Sequence, residues 1–177
     1  MPSERDAPDP TRRAWLRAAA ALGLTLAGRP APAESLDVGR PAPPLVLHTL
    51  DGRSIATRDL LGNVVILTFW ATWCDPCRAE LPMLSAYAAR HAQRGLRVLG
   101  FCLDGPDHLP EVRAVAATLS FPAGLLGSPW AGGYGRIWRI PVSFVIDRQG
   151  LLRYDGWRAR HPAWDEARLR RVVGPLL

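Results

Sequence analysis

The sequence predicts an α/β domain: a central mixed sheet with helices on both faces and a β-hairpin at its N-terminal end. Three observations carry that expectation. The run Asn63-Val64-Val65-Ile66-Leu67-Thr68-Phe69-Trp70 is apolar and β-branched almost throughout, the pattern of a strand buried on both faces. Residues 78–94 follow it with Met83, Leu84, Tyr87, Ala88 and His91 at helical spacing. Two further apolar runs, residues 96–103 and 141–147, supply the partners that such a strand needs.

Taken in order, residues 34–44 are proline-rich and aperiodic, which suits an extended arm lying on the domain. Residues 45–50 read as a strand, Asp51-Gly52 as a tight turn, and residues 53–55 as the returning strand. Residues 59–62 make a helical turn into the buried strand at 63–70. The following helix stops at Gly95. Residues 96–103 form a second buried strand, residues 104–107 turn, and residues 110–119 form a helix that opens on a proline. Residues 121–126 suit an edge strand. Residues 141–147 and 151–156 form a hairpin around Arg148-Gln149-Gly150, and residues 163–176 close the domain with a helix whose Leu169, Val172 and Val173 face inward.

The first 33 residues stand apart. Thr11-Arg12-Arg13-Ala14-Trp15-Leu16-Arg17 precedes about ten apolar or small residues, and Ala31-Pro32-Ala33 has the small-x-small form of a cleavage site. The apolar run falls short of the roughly 20 residues that span a bilayer. Residues 1–33 therefore read as an export signal of twin-arginine type, cleaved after Ala33 or retained as a membrane anchor, with residues 34–177 as the exported domain. The expected location is the periplasm. Arginine supplies all 22 basic residues, and residues 34–177 hold 17 of them against 13 acids, a net charge of +4 with no clustered basic stripe. That balance speaks against a nucleic-acid partner.

The chemistry converges on Trp73-Cys74-Asp75-Pro76-Cys77, where the buried strand gives way to a helix. Residues three apart in a first helical turn fall within disulfide reach. Cys74 at the helix N-terminus faces unpaired N–H groups and the positive end of the dipole, which favour a thiolate. Cys74 is thus expected to be exposed and attacking, and Cys77 shielded and resolving. Pro76 fits the first turn because its missing N–H has no partner to lose there. Half a zinc site would need two more ligands, and no second Cys-x-x-Cys or close histidine pair occurs, so no metal and no cofactor is expected. Cys102, on a buried strand, reads as an inert core thiol, and His48, His91, His108 and His161 as surface groups.

The stretches 62–82, from Gly62-Asn63-Val64-Val65 through Trp73-Cys74-Asp75-Pro76-Cys77 to Glu80-Leu81-Pro82, and 140–150, beginning Ile140-Pro141-Val142-Ser143, resemble the thioredoxin superfamily. Within it they are similar to the exported TlpA-like thiol:disulfide interchange proteins, which include cytochrome c maturation reductases. The resemblance covers about residues 41–156 and implies a thioredoxin-like fold. It implies that Pro141 is a cis-proline set against the disulfide, and that the backbone of Ile140 offers its N–H and C=O to an extended client segment. Trp73, Asp75 and Pro76 would complete the client-binding surface. Thr68 stands where cytoplasmic thioredoxins carry a buried aspartate, and the resemblance moves the proton acceptor to Glu80, on the same side of the helix as both sulfurs.

The function expected on this basis is an exported thiol:disulfide oxidoreductase that reduces client disulfides, such as those of apocytochrome c or of oxidase copper-site assembly factors. A membrane electron donor would restore the dithiol, since paired thiols outside the cytoplasm otherwise oxidise. Asp75 adds negative charge beside Cys74, which disfavours its thiolate and so favours the disulfide. A monomer is expected. The competing readings are a disulfide-forming oxidant, a thiol peroxidase, and a non-enzymatic Cu(I)-binding metallochaperone. Trp138 and Arg139, close to Pro141, depart from the family pattern.

Overall fold

A computed structural model describes residues 36–177, so the signal-like segment 1–33 and the cleavage point after Ala33 lie outside the described residues. The five-stranded sheet has the order β5-β4-β3-β6-β7. Its strands are β3 (Val64–Trp70), β4 (Leu96–Cys102), β5 (Ala123–Leu125), β6 (Val142–Ile146) and β7 (Leu152–Asp155). β4 runs parallel to both β3 and β5, while β6 is antiparallel to β3 and β7, giving the mixed sheet expected. Every residue of β3 is buried, as an unbroken apolar strand at the sheet centre requires. β1 (Val46–His48) and β2 (Ser54–Ala56) form the separate N-terminal hairpin.

Alternate side chains of β3 feed two cores. Val64, Ile66 and Trp70 join the cluster that holds Leu81, Leu84 and Tyr87 of α1 (Asp75–His91), Val112 of α2 (Leu109–Ala116) and Leu169 of α3 (Glu166–Val172). Val65, Leu67 and Phe69 join the other, with Leu47 of β1, Ala131, Tyr134 and Ile137. The three α-helices thus contribute to one face. The second face, also expected to carry helices, is covered by the hairpin and by short 3-10 turns at Thr57–Leu60 and Gly132–Tyr134. Glycines at 127, 132, 133 and 135 beside Pro129 explain the difference, because each glycine or proline disfavours a continuing α-helix.

Helix ends differ from those that the periodicity suggested. α1 starts at Asp75, three residues before the expected start, and passes into a 3-10 turn, Ala92–Arg94, that Gly95 ends in a left-handed conformation. The closing helix is cut to Glu166–Val172, capped by the Asp165 side chain on the Arg168 N–H, and the last residues, Gly174–Leu176, take 3-10 geometry around Pro175. The N-terminal arm lies along β7: Gly39 N–H donates to the Leu152 carbonyl at 2.7 Å, and Ala42 N–H to that of Gly150 at 2.9 Å.

Candidate active site

β3 ends at Trp70, and the chain crosses Ala71-Thr72-Trp73 before α1 begins. Cys74 is the N-cap of α1, and its sulfur accepts the Cys77 N–H at 3.3 Å. A thiolate there would meet the same N–H and the unpaired first turn, so helix start and nucleophile coincide. Cys74 and Cys77 are joined in a disulfide with Cα atoms 5.3 Å apart.

The expectation of an exposed Cys74 is corrected: it is only 5% accessible, against 0% for Cys77. Cys74 lies in the apolar cluster with Trp70 and Ala71, against which Ile140 packs, so the sulfur shows only a small edge. What stands in solvent beside it is the indole of Trp73. Asp75 and Pro76 are also exposed. The Asp75 carboxylate, 93% accessible, lies 4.0 Å from the Arg78 guanidinium. Its charge is therefore screened by water and by a cation.

Register places the second half of the site. Val142 of β6 pairs with Phe69 of β3, which brings buried Pro141 to the end of β3 where the redox turn begins. The Ile140–Pro141 peptide bond is cis. Thr68 is fully buried and pairs with Ser143, whose hydroxyl donates to the Thr68 hydroxyl at 3.0 Å. That position holds two neutral hydroxyls and no acid.

The acid is on α1. Glu80, one turn after Cys77, is 4% accessible and belongs to the same buried side of the helix as Cys77, Leu81 and Leu84. Helical neighbours three apart hold their Cβ atoms about 5–6 Å from each other. Glu80 Oε2 accepts the Trp164 N–H at 2.6 Å, while Oε1 is buried without a hydrogen-bond partner. Burial pushes the Glu80 carboxyl up to about 7, with the Trp164 N–H and the charge of Arg168 restraining the rise. Arg168 braces the Trp164 segment through the carbonyls of His161 and Ala163. A carboxyl of this kind exchanges a proton near neutral pH.

A family model described as AhpC/TSA matches residues 38–155. The chain belongs to the AhpC/TSA family. Among its relatives, the thiol-disulfide oxidoreductase ResA of Bacillus anthracis is 33% identical over 134 residues, 75% of this chain and 77% of the relative. The thioredoxin-like protein YneN of Bacillus subtilis is 31% identical over 117 residues, covering 65% and 68% of the two chains. In structure, a thioredoxin-family thiol:disulfide interchange protein from Chlorobium tepidum aligns with a TM-score of 0.65 at 31% identity, over 77% of this chain and 95% of its own. This AhpC/TSA member is a thiol-disulfide oxidoreductase with a thioredoxin-like fold, and Cys74 and Cys77 are its redox pair.

Two groupings escaped the sequence. Asp104, read only as part of a turn, is a buried carboxylate that accepts from the Thr72 N–H and hydroxyl and from the Cys102 thiol. Its signal was an acid directly after a buried strand, at the same strand end as the redox turn. Arg139 crosses 17–20 residues of chain to donate to the carbonyls of Gly156, Trp157 and Ala159, and lies over the stacked rings of Trp138 and Trp157. Such a contact leaves no local pattern. Cys102 is buried as expected, with burial and Asp104 pushing its thiol up to about 12. His91 departs from its surface assignment by packing on Tyr87, with the rings tilted and their centroids 4.4 Å apart.

Proposed function

We propose that this oxidoreductase works in the periplasm as a reductant of client disulfides, with Glu80 as the base for Cys77. In the dithiol form the Cys74 thiolate attacks one sulfur of a client disulfide. The client's first thiolate leaves, and a Cys74–client mixed disulfide remains. Cys77 then gives its proton to Glu80 and, as thiolate, attacks the Cys74 sulfur. The 74–77 bond forms, the second client thiolate leaves, and two electrons have passed to the client. A membrane electron donor returns them. Trp73, Asp75 and Pro76 on one side and Ile140 and Pro141 on the other form the surface against which the client segment lies. Apocytochrome c or an oxidase copper-site assembly factor would fit this role. The export setting rests on the signal-like residues 1–33.

The observation that carries the reading is the Glu80 carboxyl: buried, one turn from Cys77, titrating near 7, with one oxygen free of partners. Equilibration of the couple with glutathione or dithiothreitol tests the direction. A potential well below about −120 mV, the value of a strongly oxidising disulfide donor, is expected, and a value at that level would remove the reductant assignment. Glu80→Gln tests the base. The second step, measured as mixed-disulfide decay, should slow about 10²-fold or more at pH 7; an unchanged decay rate would take Glu80 out of the mechanism.

A further inference from the structure

We propose that Asp104 is a positioning residue for the redox pair: it clamps the turn carrying Cys74 and places a buried negative charge beneath it. The carboxylate is reached from two directions. Thr72, two residues before Cys74, donates its N–H to Oδ2 at 2.7 Å and its hydroxyl to Oδ1 at 3.0 Å. From β4, the Cys102 thiol donates to Oδ2 at 3.0 Å. β3 and β4 are parallel neighbours with Trp70 opposite Cys102, and Leu103 N–H closes on the Trp70 carbonyl at 2.9 Å. The turns that leave the two strands are thereby tied together at the C-terminal end of both, and Asp104 is their common acceptor.

Asp104 is 5% accessible. Burial alone would push its carboxyl up, and the donors from Cys102 and Thr72, with the charge of His108, more than offset this, so its pKa is lowered. The charge therefore persists at neutral pH. The groups around it are one protonated thiol, one hydroxyl, one N–H and, more distantly, His108. A fixed anion hydrogen-bonded to the residue two before Cys74 disfavours a thiolate there, which stabilises the disulfide relative to the dithiol. The sequence assigned that bias to Asp75. Because Asp75 stands in solvent beside Arg78, the buried Asp104 is the stronger source.

This inference requires only that Cys74 and Cys77 be the redox pair. The wild-type potential tests the reducing direction, and the difference between variant and wild type tests Asp104, so the two can fail separately. Asp104→Asn retains an acceptor for the Thr72 N–H and removes the charge. The acid constant of Cys74 in the reduced protein should rise on the order of tenfold, the effect of a like charge roughly 10 Å away in a half-buried site. At a pH above the Cys74 pKa of both proteins, the glutathione exchange constant should move about tenfold toward the dithiol, equivalent to about 30 mV for a two-electron couple. Asp107→Asn, an exposed acid in the same loop, should stay within about twofold of wild type in both. If Asp104→Asn also stays within twofold, whatever its stability, the proposal is overturned. Should that variant not fold, Thr72→Val decides: it keeps the N–H but loses the hydroxyl donor, leaving the carboxylate less compensated. Both constants should then move in the opposite direction, and no movement, or movement in the same direction, overturns the proposal.

Discussion

Glu80 illustrates how far one residue's surroundings can move its chemistry. On α1 it could have been an exposed helix residue, yet the segment around Trp164 covers it and leaves one oxygen unpartnered. Its folded pKa of about 7 lies above the ordinary carboxyl value of 4.5. Between those values the folded state binds the proton and the unfolded state has lost it, so stability falls as pH rises from about 4.5 to about 7. Glu80→Gln should remove that slope. Relative to wild type it should be more stable by about 3 kcal/mol at pH 8 and show little difference at pH 4, in urea unfolding at both pH values. Equal stability differences at the two pH values would mean that the carboxyl is not held in its neutral form. Activity should move the other way, because the residue that weakens the fold above neutral pH is the one assigned the proton of Cys77.

At the scale of elements, the hairpin docks on the edge of the main sheet through one close approach. Leu50 N–H donates to the Ala123 carbonyl at 2.9 Å, and a Cβ at Gly124 would lie 1.9 Å from the His48 carbonyl oxygen. Backbone meets backbone there, so no rotamer change could make room. Gly124→Ala should cost about 3 kcal/mol and speed hydrogen exchange at Leu50, leaving exchange in β3 no faster than the global loss of stability requires. A loss below about 0.5 kcal/mol would show that hairpin and β5 separate without cost. The redox turn is built differently. Two parallel strands end side by side, and a buried carboxylate joins their exits, so α1 begins from a tethered position.

Across the whole molecule the sheet divides the interior into two cores. Leu84 of α1 lies in one and Phe144 of β6 in the other, both fully buried. Leu84→Ala should cost about 2–5 kcal/mol and Phe144→Ala about 3–5 kcal/mol. Leu103 and Ile140 pack against both clusters, but Leu84 and Phe144 belong to different ones, so their costs should add to within about 0.5 kcal/mol in the double variant, if it retains a measurable folded population. A larger deviation would show that the sheet transmits repacking between its faces. The arrangement also explains why the site sits where it does: β3 serves both cores, and its C-terminal end is the point at which Cys74, Pro141 and Asp104 can meet.

Much of this was legible in the residues alone, because local patterns encode local structure. The unbroken apolar run of β3, the Cys-x-x-Cys at a strand-to-helix junction, the Asp51-Gly52 turn and the position of Glu80 on the side of α1 facing Cys77 all follow from neighbours within a few positions. The low accessibility of Cys74, the cover that Trp164 places over Glu80, the clamp of Asp104 on Thr72 and the reach of Arg139 to three distant carbonyls come from contacts between residues 17 to 84 positions apart or from packing around a single atom. Periodicity carries no record of such contacts. Yet desolvation and hydrogen bonding at those contacts set which groups hold a proton, and so the chemistry available to the redox pair.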